Sequence, residues 1–306
     1  MMKRHTFANC RLILLLSGVL LSMSPVVGQA APQSQDKPRK IVSDDFTKSR
    51  KEDAGHVGKA RTVRPHRTYR LASGAGGPAR SSVSANLKLL GITIWKLRES
   101  RRGDSDRRAL IREKNNARTW AAERVESDST FREGDYVRLS VESPNGGYLY
   151  VIDRDLLADG KTGDAMLIFP WSGADNKLAA GRLIDIPAQE DDPNHFTARL
   201  SGPDQIGELL TFIVTASPLD LPISDKPLRL DARQLVDWEK SWSATVERYE
   251  MEGGAGELWT RAEQQAAAKH TTRQLTRNDP PPQTIYRIFG ANKQAILVSV
   301  PLKYGK

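Results

Sequence analysis

The sequence predicts a mainly β domain: an antiparallel sandwich or barrel-like fold with two accessory α-helices, preceded by a disordered arm. Three observations predict it. Short apolar–polar alternations recur from Leu87 to the C-terminal end, separated by Gly, Pro, Asn and Asp clusters. Helical spacing surfaces only between about 231 and 270. Charge also breaks near residue 87: the formal +9 divides into +3 over 1–30, +7 over 31–86 and −1 beyond. The basic balance therefore belongs to the N-terminal segments, and the body is nearly neutral.

The first 30 residues have the pattern of a secretory signal peptide. Lys3, Arg4 and Arg11 form a basic region, Leu12 to Leu21 an apolar one, and Gly28-Gln29-Ala30 offers small residues for cleavage. The apolar run is short for a membrane span, so the expectation is a mature chain starting near Ala31, secreted or periplasmic, without a transmembrane helix. The single cysteine, Cys10, precedes the apolar run and is no lipobox cysteine. Cleavage would remove it. A thiol-free mature chain excludes disulfides, thiolate nucleophiles and cysteine-based zinc sites.

Residues 31–86 show no sustained apolar period and are rich in Lys, Arg, Ser, Gly and Pro. Such a segment buries too little apolar surface to offset its ordering entropy, so it reads as disordered. Its charge suits a spacer or a contact with an anionic surface. With only Phe46 and Tyr69 for stacking, nucleic acid is not expected as a partner.

The body, 87–306, begins with a strand around Ile92 and Ile94. A polar connector over 98–116 follows, with a short helix expected near Arg107 to Lys114. Val137, Leu139 and Val141 then alternate with Arg138, Ser140 and Glu142. After Pro144-Asn145-Gly146-Gly147 the strand resumes over Tyr148 to Ile152, and Asn-Gly predicts a tight hairpin pairing these two strands. Further strands are expected at 165–169, 182–186, 195–200, 208–216, 284–289 and 296–302. That rhythm argues against a βαβ fold. Leu235, Trp238, Trp242, Val246 and Tyr249 share a helical face, with Asp231 as N-cap and Gly253-Gly254 as stop; Glu257 to Lys269 reads as a second helix. The two make a helical insertion over about 231–270, packed against one face or end of the sheet.

Several pieces of 131–216 stand in a telling order. They are Phe131-Arg132-Glu133-Gly134-Asp135-Tyr136-Val137-Arg138-Leu139, Asn145-Gly146-Gly147-Tyr148-Leu149-Tyr150-Val151-Ile152, and Leu167-Ile168-Phe169-Pro170. Asp175-Asn176-Lys177, Gly181, Ile186-Pro187 and Glu208-Leu209-Leu210-Thr211-Phe212-Ile213-Val214 follow. In these motifs the segment resembles the bacterial family known as domain of unknown function 4384. The resemblance implies a β-rich module, often attached to caspase-like peptidases, protein kinases or exported proteins. It implies no catalytic residues. The Trp-bearing stretch from Leu235 to Trp259 and the Gln283-Thr284-Ile285-Tyr286 end look like an elaboration of that module.

Chemistry-bearing patterns are few. Asp153, Asp155, Asp159 and Asp164 crowd one loop and are candidate calcium ligands, although the Asp-x-Asp-x-Asp-Gly spacing is broken. Glu190-Asp191-Asp192 forms a second acidic loop. His195 has Ser201 and Asp191 near it in sequence, but no Gly-x-Ser-x-Gly elbow exists. His270 is expected to support the carbonyls at a helix C-terminus. Gly253-Gly254-Ala255-Gly256 lacks the Lys-Ser/Thr of a phosphate loop and reads as a helix–helix turn. Trp171, in a loop after Phe169-Pro170, is a platform for sugar or peptide, with Asp175 and Asn176 beside it as candidate binding residues.

The expectation is a non-enzymatic, exported binding or scaffolding module of the cell envelope, with no cofactor. It would contact a protein or envelope polymer through the Trp171 loop end and an anionic surface through the arm. The alternative is a hydrolase acting on envelope polymers, which needs a pocket holding two titratable groups within reach of each other.

Overall fold

Alternation builds the interior. Val137, Leu139 and Val141 face one core while Arg138, Ser140 and Glu142 face away from it, and Leu149 and Val151 part from Tyr150 and Ile152 in the same manner. The computed structural model describes residues 36–52, 67–72, 87–104, 110–112, 118–269, 273–291 and 294–305, all within one unit, Gln35–Lys306. The signal-peptide pattern and His270 lie outside the described residues.

In chain order the elements are α1 (Asp36–Thr47), β1 (Tyr69–Leu71), β2 (Lys88–Glu99), β3 (Leu110–Arg112), β4 (Thr119–Val125), β5 (Thr130–Phe131), β6 (Tyr136–Glu142) and β7 (Gly147–Asp153). Then come β8 (Asp155–Leu157), β9 (Met166–Phe169), β10 (Lys177–Leu178), β11 (Ile184–Ile186), β12 (Phe196–Thr197), β13 (Gln205–Thr215) and β14 (Leu228–Arg229). The chain closes with α2 (Ala232–Ser241), β15 (Thr245–Met251), α3 (Arg261–Ala267), β16 (Thr284–Phe289) and β17 (Ala295–Tyr304). The first sheet runs β1-β15-β16-β2-β4-β3, with β6 also on β2 and carrying β11 and β12. The second runs β14-β9-β7-β13-β17-β5, with β10 on β7 and β8 on β13. The mainly β, sandwich-like fold is as expected. Among the described residues no helix is long and apolar enough to cross a membrane.

Between the sheets lies the main core, including Ile92, Ile94, Leu139, Val141, Leu149, Val151, Phe212 and Val298. Each sheet also buries its outer face. On the second sheet, Tyr150, Ile152, Leu167 and Ile213 pack against Leu235 and Trp242 of the α2 segment. On the first, Trp95, Trp120 and Trp259 form one cluster, and Val42, Phe46, Tyr69 and Ile285 another.

Five expectations need correction. The Asn145-Gly146 turn joins no hairpin: β6 pairs with β2, β11 and β12, whereas β7 pairs with β9, β10 and β13. The Gly146 N–H donates to the Ser143 carbonyl at 3.4 Å, which puts Pro144-Asn145 at the centre of the turn. Both strands have an apolar face for the same core, so they stack face to face as an arch. Next, the helix starting after Asp231 ends at Ser241. Val246 and Tyr249 keep the helical spacing but lie on β15, where β-branched Thr245 and Val246 begin an alternating run paired with β16. Trp259 is likewise off the helices: its N–H donates to the Ala122 carbonyl on the edge of β4, and α3 begins only after the Thr260–Glu263 capping box. The glycine cluster 253–256 thus follows a strand, not a helix. The two helices sit on opposite outer faces, α2 over the second sheet and α3 beside Arg124 of the first.

The fourth correction is Leu110–Arg112, expected as helix, which pairs with β4 as a strand. The last concerns 31–86. Asp36–Thr47 is a helix and Tyr69–Leu71 a strand on β15. Val42, Phe46, Arg50 and Tyr69 are buried in the body. The composition is that of a solvated arm, yet a few well-spaced apolar side chains and one arginine dock it. Residues 53–66 and 73–86 of the expected arm lie outside the described residues.

Candidate functional site

Trp171 follows β9, in a loop whose Ser172 N–H donates to the Ser224 carbonyl at 3.1 Å. The indole is half-buried and meets Phe169 edge-on, centroids 5.3 Å apart. Trp171 lines a groove of about 370 Å³ whose other walls include Leu167, Ile168, Pro170, Pro187, Pro193 and Phe196. His195 also lines it, its ring packed against Tyr136 at 3.9 Å. Asp191, Asp192, Asp225 and Lys226 supply the charged part of the lining. The second acidic loop and the Trp171 loop are therefore brought together although 20 residues separate them in the chain.

Asp175 and Asn176 do not line this groove. Asp175 is exposed, accepts from the Lys177 N–H at 3.0 Å and pairs with Arg182 at 2.9 Å. Asn176 donates its amide to the Leu149 carbonyl at 3.1 Å. Both residues hold the turn that leads into β10.

The four aspartates expected to crowd one loop diverge. Asp155 accepts from Ser201 at 2.7 Å and from Gln205 at 2.9 Å. Asp159 pairs with Lys161 at 2.7 Å. Asp164 pairs with Arg229 at 2.6 Å. Asp153 lines a cavity between the sheets, with Asp155 near enough to act on it electrostatically. Among the described residues no three metal-ligating side chains cluster. The calcium expectation is corrected accordingly, since a calcium loop needs convergent oxygens. Ser201 is engaged with Asp155, so no triad forms around His195.

Asp153 is at the end of β7 and continues its core-facing row. It lines a cavity of about 170 Å³ between the sheets, with Glu208 of β13, Tyr304 of β17, and Val137, Leu139, Ile168, Phe196 and Leu302. The Tyr304 hydroxyl donates to Glu208. The Asp153 Oδ1 is buried with no hydrogen-bond partner among the described residues. Burial, then the neighbouring Glu208 and Asp155, push the Asp153 carboxyl up to about 7, and burial raises Glu208 as well. Ile168 and Phe196 line both the groove and the cavity. Sequence reading missed Glu208 and Tyr304. The available signal was parity: Glu208-x-Leu210-x-Phe212 and Val300-x-Leu302-x-Tyr304 put polar groups on rows that otherwise face the core.

No family model matches the chain, and no curated protein or solved structure matches it either.

Proposed function

We propose that this chain is a binding module, exported to the cell envelope, which holds its ligand in the Trp171 groove. The groove carries the reading. It is concave, its walls are proline and aromatic, and carboxylates stand along its lining, the usual make-up of a site that orients a ligand by a few polar groups. The motif resemblance over 131–216 fits a module without catalytic residues of its own.

The hydrolase alternative has one observation in its favour, the Asp153–Glu208 pair in one cavity. Burial raises both carboxyls, Asp153 to about 7. The anionic-surface role of the arm is narrower than its composition implied. Arg50 is buried against Glu142, Arg67 pairs with Glu257 at 3.0 Å, and Arg70 pairs with Glu126.

The test is a titration of the protein with peptidoglycan muropeptides, chitooligosaccharides and a basic proline-rich peptide. It is followed by isothermal titration calorimetry. Saturable heats with one probe, lost in a Trp171→Ala protein of unchanged melting temperature, are expected. Release of hydrolysis products that stops on Asp153→Asn would overturn the reading in favour of an enzyme.

A further inference from the structure

Three strands end their core-facing rows on polar groups at the same end of the sandwich. On β7, Leu149 and Val151 are followed by Asp153; on β13, Phe212 and Leu210 lead to Glu208; on β17, Val300 and Leu302 lead to Tyr304. All three side chains are half-buried, and taking a carboxylate even partly out of water is unfavourable unless it is paired. Yet no Lys or Arg lines this cavity. Tyr304 satisfies Glu208, and the Asp153 Oδ1 is left without a partner.

We infer that this cavity is a subsite of the Trp171 groove that takes a primary ammonium group on an aliphatic stem, seated between Asp153 and Glu208. The inference rests on the binding-module reading and names the ligand class for it. Four features support it. The walls (Val137, Leu139, Ile168, Phe196) are apolar and suit methylene groups. The volume, about 170 Å³, far exceeds the roughly 10–15 Å³ that one water requires, so a stem of several carbons is accommodated. An ammonium brings three N–H donors and the missing counter-charge, whereas a hard divalent cation would want six or more oxygen ligands. Ile168 and Phe196 belong to both spaces, and the groove is lined by three aspartates, Asp191, Asp192 and Asp225, against one lysine, Lys226, a balance that favours the approach of a cation.

A pH dependence follows from the groups that face Asp153. Burial, Glu208 and Asp155 hold it toward the protonated form, the Arg154 backbone N–H opposes them, and Tyr304 donates to Glu208. An alkyl ammonium with a pKa of roughly 10.4 stays charged throughout the neutral range. Binding therefore strengthens from pH 6 to pH 8 and releases protons, which buffers of different ionisation enthalpy reveal by calorimetry.

The experiment uses the full chain and n-butylammonium chloride as the minimal probe, with n-butanol and butyrate as neutral and anionic counterparts. Nα-acetyl-lysine amide and 1,5-diaminopentane distinguish a peptide side chain from a free diamine as the source. Saturable binding of butylammonium is expected, with butanol and butyrate at least tenfold weaker. Asp153→Asn and Glu208→Gln should each weaken it tenfold or more while melting cooperatively. Asp159→Asn, an exposed residue that lines neither space, should change butylammonium affinity less than threefold. The groove reading is tested apart from it, by the muropeptide, chitooligosaccharide and peptide titrations, so failure of that reading and failure of this subsite are separable. Equal binding of butanol and butylammonium by the wild-type chain, undiminished binding by the Asp153→Asn/Glu208→Gln protein, or no butylammonium binding at all would each overturn the inference. The first and last of these need no variant to fold.

Discussion

The two outer faces of the sandwich are both buried but held by different physics. Over the second sheet the cover is largely dry: Leu235 and Trp242 of the α2 segment meet Tyr150, Ile152 and Ile213, Trp238 stacks on Trp242 at 5.2 Å, and a single ion pair, Arg154 with Glu239 of α2 at 2.8 Å, lies beside them. Over the first sheet it is ionic. Arg50 meets Glu142 with two contacts of 2.8 and 2.5 Å, Arg124 pairs with Glu263, and Arg138 reaches Asp185 at 3.3 Å, all of them buried. Arg124 and Arg138 also lie over the rings of Trp95 and Trp259. The dry face is generic, since any apolar helix of the right length would cover it. The ionic face is specific, because each charge tolerates burial only with its own partner in place.

The pairs differ in quality. Glu142 also accepts from the Gly181 N–H, and Arg50 donates to the Thr276, Asp279 and Pro280 carbonyls. Burial works against the Arg50 charge, but Glu142 outweighs it, and its pKa stands above the ordinary value. At Arg138 burial prevails over Asp185 and the pKa is lowered; Asp185, mostly through burial, is raised to about 6. The Arg138 Nη1 and the Trp259 Nε1 are both buried without partners among the described residues.

The most severe test of the contrast is a chain beginning at Leu87. The N-terminal composition suggested that such a chain folds alone. It would lack Val42, Phe46 and Tyr69, each worth about 1.5–3 kcal/mol of burial, and would leave Glu142 unpaired at about 3–5 kcal/mol. Together these rival the 5–15 kcal/mol stability of a typical domain, so no cooperative melt is expected by calorimetry. A native-like melt would show that the N-terminal cover is dispensable.

Arg50→Met isolates the ionic term. A loss of about 3–5 kcal/mol in urea denaturation is expected, most of it regained in Arg50→Met/Glu142→Leu, where neither charge remains. If the double variant is no better than the single one, the cost comes from lost packing. On the dry face, Leu235→Ala should cost about 2–4 kcal/mol by leaving a cavity, with no dependence on salt or pH between 5 and 9. A marked salt dependence would erase the distinction between the faces.

The smallest effect is a gain. Asp153 has a folded pKa of about 7, above its unfolded value of roughly 3.9. The folded state therefore holds more protons between those limits, and stability present below about pH 4 is lost progressively up to pH 7. Asp153→Asn removes that loss: equal stability at pH 4 and a gain of about 1–3 kcal/mol at pH 8 are expected from denaturation at the two pH values. A protein destabilised at pH 8 would mean that the carboxylate has a partner there.

Much of this was legible in the sequence. Many strand positions between Ile92 and Leu302 followed from alternation, although β4 was not picked out and β3 and β15 were expected as helix; Asp231 as an N-cap followed from residue type, its carboxylate accepting from the Arg233 and Gln234 N–H groups. Trp171 was singled out by its loop position, and it does line the groove. Asp175 and Asn176 lie outside the groove lining and the four aspartates do not gather, because closeness in sequence is not closeness in space. Lys161, Arg182 and Arg229 take those carboxylates as partners.

What the sequence by itself determined is local: which side chains alternate, where turns fall, and where a helix can start. These depend on torsions and on neighbours a few residues away. Only the tertiary structure decided that β6 and β7 belong to different sheets, that Val246 and Tyr249 are strand and not helix, and that Arg50 of a charged segment belongs in the core beside Glu142. The same holds for Asp153, Glu208 and Tyr304, drawn from three strands into one cavity. Strand pairing and charge burial are non-local: their free energy depends on which distant partner arrives, and no window of sequence contains that partner.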